Sequence, residues 1–281
     1  MSGFSFAEAD DLLETRCRAL RAVLPATAVV GRRTAAWLWG LDVFPPGETQ
    51  RDRPVELLAE PPPPWVQDSL LGPPAGDVTE VFGVHVTSME RTALDCARWL
   101  PRLEAVAAAD QFLRLGVRQG ALARRAAALC GQRNARRLRE IIELADPGAA
   151  SPGESWTRTR IVDAGLPRPA TQIAVPGPEG RALAVDLGDA ELKVGVEYDG
   201  EVFHTGPDAK VHDAARRAWL RRQGWHLTVV TKYDVLLDPR AFLSDHLNAL
   251  RDRGWHPDDD RLCTIYATIA RLDPRRRRPA M

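Results

Sequence analysis

The stretch GVEYDGEVFH, residues 195–204, places acidic side chains in what otherwise has the composition of a buried strand. Alternate side chains of a strand point to opposite faces, so Val194 and Val196 share one face while Glu197 and Asp199 share the other. The valine face is expected to pack in a core. The two carboxylates on the opposite face lie about 7 Å apart along the strand. The acidic face is the feature that the rest of the chain has to explain.

A third acid, Asp186, lies in the neighbouring apolar strand ALAVDLG. Burying several acids together is unfavourable unless positive charge neutralises them, and a hard divalent cation with oxygen ligands does this directly. Asp186, Glu197 and Asp199 therefore predict an Mg²⁺ or Mn²⁺ site, and His204, five residues beyond Asp199, is a further candidate. The alternative is structural: Asp-Gly is a hairpin signal, and Asp186 precedes a turn-like LGDA.

Glu154 has two interpretations. In SPGE, the serine suits a helix N-cap, the proline the first helical position and the glutamate the third, which is a capping box. The same helix immediately precedes the acidic strands, where a fourth carboxylate could reach a metal. The sequence does not decide between the two.

Composition sets broad limits on the protein class. The length of 281 residues suggests two domains. The formal net charge is zero, but 35 of the 38 basic residues are arginine, which suits phosphate binding and equally reflects a GC-rich genome. The four cysteines lack metal-ligand spacing and are expected to be reduced thiols. With neither a signal peptide nor a long apolar segment, the chain is expected to be a soluble cytoplasmic protein with no membrane partner.

The pattern of elements changes at ADPGAASPGE, residues 145–154. Before it, the sequence predicts helices over 6–22, 32–43, 102–116, 118–130 and 132–145. It also predicts a hairpin or strand in DVTEVFGVHVTS, with Thr87 and Glu90 as a capping box that opens the helix MERTALDCARWL. After it come a helix, three β-branched strands, a basic helix and another strand, which is a compact α/β unit. We therefore expect domains at 1–146 and 147–247, and a helical extension with a basic tail at 248–281.

The second half resembles the Vsr-like (very-short-patch-repair-like) endonuclease domain, a branch of the PD-(D/E)XK nuclease superfamily common in actinobacteria. The resemblance covers roughly residues 150–240 and rests on the ordered set SPGES, GLPRPATQIAVP, AVDLG, VGVEYDGEVFH, HDAARRAWLRRQGW and TVVTKYDVL. It implies a restriction-endonuclease-like mixed sheet flanked by helices. It makes Asp186 the central metal ligand, Glu197 and Asp199 the second motif, Glu154 the helix acid, and His204 an active-site histidine.

One position departs from the superfamily pattern, because E-x-K is E-x-D here and Asp199 replaces the lysine. Lys193 shares its face but is about 13 Å from Glu197 along an extended strand, too far to substitute. His204 could then act as the general base.

The first half is similar, more weakly, to AbiEi-like type IV antitoxins, on RRTAAWLWGL and VHVTSMERTALDCARWL. It is expected to be a smaller, mostly helical α+β domain that binds a protein partner or positions DNA. Only one helix precedes it, whereas such antitoxins usually begin with a winged helix-turn-helix of about sixty residues. A DNA-reading head is therefore expected to be truncated or absent.

Two functional hypotheses follow. The first is a metal-dependent DNA endonuclease with a role in repair or mobile-element defence. The second is a catalytically inactive DNA-binding or antitoxin-like regulator that retains a nuclease fold. In both, the basic helix supplies the candidate DNA contacts Arg216, Arg217, Arg221 and Arg222, and NARRLRE at 134–140 is a weaker candidate for phosphate contact.

Overall fold

The computed structural model describes residues 6–58, 75–200 and 207–272. The chain divides into two compact units between Pro147 and Gly148.

The described part of the first unit is mostly helical, with four short strands. Its elements are α1 (Phe6–Arg21), β1 (Val29–Val30), α2 (Arg32–Leu38), β2 (Leu57–Leu58), β3 (Val78–Val81), β4 (Val84–Thr87), α3 (Met89–Trp99), α4 (Arg102–Arg114), α5 (Gln119–Ala128) and α6 (Ala135–Leu144). The strands are ordered β2-β1-β4-β3, with β1 and β4 parallel and the other pairs antiparallel. Buried residues of α1, α2, β1 and β4 form a core that includes Leu20, Val30, Leu38 and Val86.

Of the two expectations for 77–88, a hairpin or a strand, the structure has a hairpin, with β3 and β4 antiparallel. Phe82 and Gly83, the two residues between β3 and β4, both have positive φ, at 46° and 73°. Positive φ at both central residues is the type I′ pattern, whose twist matches that of paired strands. The tight turn fixes the register in which Val81 faces Val84.

Two local predictions in this unit are wrong. The expected helix over 32–43 ends at Leu38, and Gly40 follows with a φ of 87°, a left-handed conformation that commonly ends helices. The N-cap of α3 is Ser88 rather than Thr87, since the Ser88 hydroxyl accepts from the Arg91 amide at 3.3 Å. Thr87 is still part of β4, and its side chain bonds to the Thr92 hydroxyl instead.

The second unit is an α/β structure, as the sequence predicts. Its elements are α7 (Pro152–Asp163), β5 (Ala170–Pro176), β6 (Ala182–Asp189), β7 (Val194–Tyr198), α8 (Pro207–Arg222), β8 (His226–Val230), α9 (Lys232–Leu236), α10 (Arg240–Asp252) and α11 (Asp259–Arg271). In the described residues the strands form a mixed sheet ordered β5-β6-β7-β8. Strands β5 to β7 are antiparallel, whereas α8 carries the chain to β8, which is parallel to β7. A helical crossover is what a parallel pair requires.

Both faces of β7 are covered. A side chain at Gly195 would contact Val185 and Leu227, which belong to the same core cluster as Leu220 of α8. Tyr198 points to the other face, where a Cβ at Gly153 of α7 would overlap its ring. The acidic face of β7 is therefore turned towards α8.

Residues 248–272 are continuous with the rest of the second unit. Residue 247 lies inside α10, and Leu243, Leu247 and Leu250 of that helix are almost fully buried. Ile265 and Ile269 of α11 are buried as well. The expected boundary at 247/248 therefore falls within a helix that contributes to the core. None of the helices in the described ranges is long and apolar enough to cross a membrane.

Candidate active site

The site is built where the sheet is irregular on both sides of Asp186. Strand β6 pairs with β7 from Asp189 to Leu187, and one residue further Asp186 Oδ2 accepts the backbone N–H of Tyr198 at 3.1 Å. On the other side, the pairing of β5 with β6 passes over Gln172, which has a φ of 49°. A positive φ is unusual for glutamine and marks a local distortion of the strand. The distortion directs Gln172 Nε2 to Glu154 Oε2, at 3.0 Å.

Glu197 is held by two arginines of α8. Its side chain is 1% exposed, and both carboxylate oxygens accept from Arg216, at 2.8 and 2.9 Å. Arg217 Nε donates to Oε2 at 2.9 Å. Arg216 also donates to the Ala184 carbonyl at 2.9 Å, so it ties the acid to the β6 backbone. A nearly fully buried carboxylate is stable here because planar guanidinium groups meet both of its oxygens.

Asp199 belongs to the same network. Its Oδ2 accepts from Arg217 Nη2 at 3.0 Å, so one guanidinium bridges the two acids of the E-x-D pair. Its backbone N–H donates to the Val230 carbonyl at 2.8 Å, which continues the pairing with β8. Asp199 therefore lies at the end of a strand rather than in a hairpin turn, and its side chain is about half exposed.

Glu154 supports the start of α7 without completing the expected capping box, because its carboxylate accepts from the Ala150 amide rather than the Ser151 amide, and its charge raises the pKa of Asp186. Its Oε1 accepts from the Ser151 hydroxyl at 2.9 Å, its amide donates back to that hydroxyl at 3.2 Å, and Oε2 accepts from Ala150 N–H at 2.8 Å. The side chain is buried. A role at the helix start and a role beside Asp186 are thus compatible with one carboxylate.

Asp186 is the electrostatic centre of this group. Burial raises its pKa to about 7, and the negative charges of Glu154 and Glu197 act in the same direction. The Tyr198 amide and the charge of Arg216 oppose that rise. Three carboxylates from α7, β6 and β7 are therefore close enough to repel one another.

The donor chemistry fits a hard divalent cation. Asp186 and Glu197 offer carboxylate oxygens, which Mg²⁺ and Mn²⁺ prefer, and a cation near them would offset the repulsion at Asp186. Within the described ranges, however, no group of three or more His, Cys, Asp or Glu side chains is arranged so that it could hold a metal ion. The positive charges beside Glu197 and Asp199 are the guanidinium groups of Arg216 and Arg217.

The remaining predicted residues separate into three groups. Arg216 and Arg217 face the acids, whereas Arg221 and Arg222 are exposed on α8, with Arg222 over the Trp219 ring at 5.4 Å. Lys193 donates to the Gln223 carbonyl at 3.0 Å and is engaged away from Glu197. His204 lies outside the described residues.

The sequence did not lead us to expect that Arg216 and Arg217 form ion pairs with Glu197 and Asp199. A signal was present, because Arg216 precedes the buried Leu220 by four residues and therefore lies on the same helix face. Gln172, which bonds to Glu154, gave no comparable signal.

Comparison with known proteins supports the AbiEi-like resemblance. Residues 27–144 match the family model of the AbiEi antitoxin C-terminal domain. The matched residues lie within the first unit. Two uncharacterized proteins from two strains of Mycobacterium tuberculosis are each 31% identical over 178 residues, covering 62% of this chain and 66% of the relative. No solved structure matches the chain.

Proposed function

We propose that the second unit is a metal-dependent DNA endonuclease of the Vsr-like PD-(D/E)XK type, joined to an AbiEi-like domain. The observation that carries the proposal is that α7, β6 and β7 bring Glu154, Asp186 and Glu197 together: burial, and then the charges of Glu154 and Glu197, raise the pKa of Asp186 to about 7. Buried carboxylates that raise one another's pKa are typical of functional sites.

In this proposal Asp186, Glu197 and Asp199 hold Mg²⁺ or Mn²⁺. A bound cation supplies Lewis acidity to the phosphodiester and helps to activate water. The Tyr198 amide fixes one oxygen of Asp186, and Arg216 orients Glu197 through both oxygens. Arg217, which bridges Glu197 and Asp199, has to loosen that bridge when the acids take a metal ion. His204 remains the proposed general base.

A cleavage assay tests the proposal. The purified full chain is incubated with plasmid, mismatched duplex and single-stranded DNA, in Mg²⁺, in Mn²⁺ and in EDTA. We expect metal-dependent cleavage of at least one substrate, loss of that cleavage in Asp186→Asn, and retention in Asp245→Asn, which changes an exposed acid of α10. Intact DNA in every condition, or cleavage by Asp186→Asn at the wild-type rate, contradicts the proposal.

A specific observation favours the alternative, a non-catalytic antitoxin-like regulator. Glu197 and Asp199 already have cationic partners in Arg216 and Arg217, so the pair is neutralised without metal. The match to an antitoxin domain is compatible with this role, in which the first unit binds DNA or a toxin-like protein partner. A regulator should bind DNA in EDTA and should tolerate Glu197→Gln, whereas the nuclease should lose cleavage with that variant.

A further inference from the structure

Three arginine side chains of the first unit surround the indole ring of Trp99. The guanidinium carbons of Arg98, Arg32 and Arg133 lie 5.0, 5.5 and 5.7 Å from the ring centroid. Distances within about 6 Å are those of cation–π contacts. Trp99 ends α3, Arg32 begins α2, and Arg133 lies just before α6, so three separate elements bring positive charge to one ring.

Part of this cluster is structural. Arg98 is 1% exposed, and its Nε donates to the Arg133 carbonyl at 2.7 Å. Arg137 donates to the Leu100 carbonyl, just beyond the end of α3. Basic side chains at a helix C-terminus are favourable because they meet its free carbonyls and its dipole. This reasoning does not extend to Arg32 and Arg133.

Arg32 and Arg133 make no ion pair with an acid of the described ranges 6–58, 75–200 and 207–272. Asp95 feels the charge of Arg32, but its carboxylate is already bonded to Arg91 at 3.0 and 3.1 Å. Arg133 is exposed, and Arg32 and Trp99 are partly exposed. Like charges held around one ring repel one another, so an anion is the partner that this arrangement accommodates best.

The backbone conformation at Arg32 is constrained. Its φ is 51°, in the left-handed region that non-glycine residues rarely occupy. The residue after Arg133, Asn134, also has a positive φ, of 61°, which asparagine tolerates more easily. Both arginines therefore lie in or next to constrained backbone, which fixes where their side chains leave the main chain.

We propose that Arg32 and Arg133, held beside the Trp99 ring, form a binding site for a phosphate-bearing ligand, with the two guanidinium groups on phosphate oxygens. Arginine is well suited to phosphate because its planar donors match the phosphate oxygens. The ligand is a nucleic-acid strand or a free nucleotide, which share this chemistry. The site lies in the first unit and does not depend on the proposed nuclease activity.

Binding is measured by calorimetry on the full chain, in EDTA and low salt, with a short single-stranded oligonucleotide and with a nucleoside diphosphate. We expect at least one of them to bind, with Arg133→Gln and Arg32→Gln each weakening binding by about fivefold or more through loss of a phosphate contact. Arg18→Gln is the matched control, because Arg18 is 77% exposed and paired with Glu14 at 2.8 Å. It should bind within about twofold of wild type.

Comparing the two ligands shows whether the site binds a nucleic-acid strand or a free nucleotide. Stronger binding of the oligonucleotide, with an affinity that falls steeply as salt rises, identifies a strand, whereas stronger binding of the nucleoside diphosphate identifies a nucleotide. The proposal is overturned if neither ligand binds, or if Arg133→Gln binds as tightly as Arg18→Gln. The titration is repeated with Asp186→Asn. Because the site does not depend on the proposed nuclease activity, binding to it should be the same in this variant, so the two proposals can fail independently.

Discussion

Glu197 depends on Arg216 more than on any other residue. Replacing Arg216 with methionine removes a bidentate partner from a carboxylate that is 1% exposed and also frees the Ala184 carbonyl. We expect the free energy of unfolding, measured in urea, to fall by about 3 kcal/mol. Arg216→Lys should recover only part of this, because one ammonium group cannot match both oxygens. Arg221→Met, at an exposed position of the same helix, is the control, and an equal loss in both variants would refute the assignment.

Gly153 is the second residue that tolerates little change. A Cβ at this position would overlap the ring of Tyr198, whereas a Cβ at Gly120, in the first turn of α5, meets only the flexible end of Arg124 at 3.7 Å. Overpacking typically lowers stability by about 1–3 kcal/mol, and alanine in an open helix position raises it slightly. We expect Gly153→Ala to lower the urea midpoint and Gly120→Ala to leave it equal or higher. A harmless Gly153→Ala would mean that Tyr198 does not pack on α7 as described.

His246 should make the second unit sensitive to acid. Burial, followed by the charge of His226, lowers its pKa to about 4, and its Nδ1 has no hydrogen-bond partner in the described structure. Because the pKa is depressed on folding, unfolded chains take up the proton first as the pH falls below about 6.5. The stability contributed by neutral His246 is present above that pH and is lost as the pH falls towards 4, by up to about 3 kcal/mol.

Urea unfolding at pH 7.5 and pH 4.5 measures this effect. His246→Leu should lose less stability between the two pH values than wild type does. His256→Gln, which changes an exposed histidine, should behave like wild type. Identical losses in all three proteins would show that His246 titrates normally.

Among the elements, most of the second unit could be predicted from the sequence. Strands at 170–176, 182–189 and 194–198 follow from β-branched runs, and the Pro and Gly residues between them mark the turns. The irregularity at Gln172 could not be predicted, because a positive φ is unusual for glutamine and its bond to Glu154 joins residues 18 positions apart. The pairing of Arg216 and Arg217 with Glu197 depends on how α8 crosses the sheet, which local pattern does not specify.

The end of the second unit is a separate test at this scale. A chain that stops after residue 247 lacks the buried side chains of Leu250, Ile265 and Ile269. We expect it to lose cooperative unfolding of the second unit, because a Leu or Ile side chain typically contributes about 2–3 kcal/mol when buried. A chain that stops after residue 272 keeps these helices and should unfold like the full chain. Equal stability of the two truncations would support a dispensable extension after 247.

At the scale of the whole molecule, two units carry two kinds of charge cluster. The first unit, which contains the match to the AbiEi antitoxin C-terminal domain, holds the arginines around Trp99. The second unit holds the coupled acids around Asp186. Zero formal net charge conceals both clusters, since 38 basic and 38 acidic residues cancel over the chain. The resemblance to antitoxins was visible in short motifs, but the arginine cluster joins residues about a hundred positions apart and needed the fold.

The central claim is that the acids around Asp186 form a metal site, and a calorimetric titration of the full chain with Mn²⁺ tests it most directly. We predict saturable binding in wild type, its loss in Asp186→Asn and its retention in Asp245→Asn. We also expect tighter binding in Arg217→Gln, because this change removes the guanidinium group that bridges Glu197 and Asp199. Titration curves that are the same for wild type and Asp186→Asn would contradict the account.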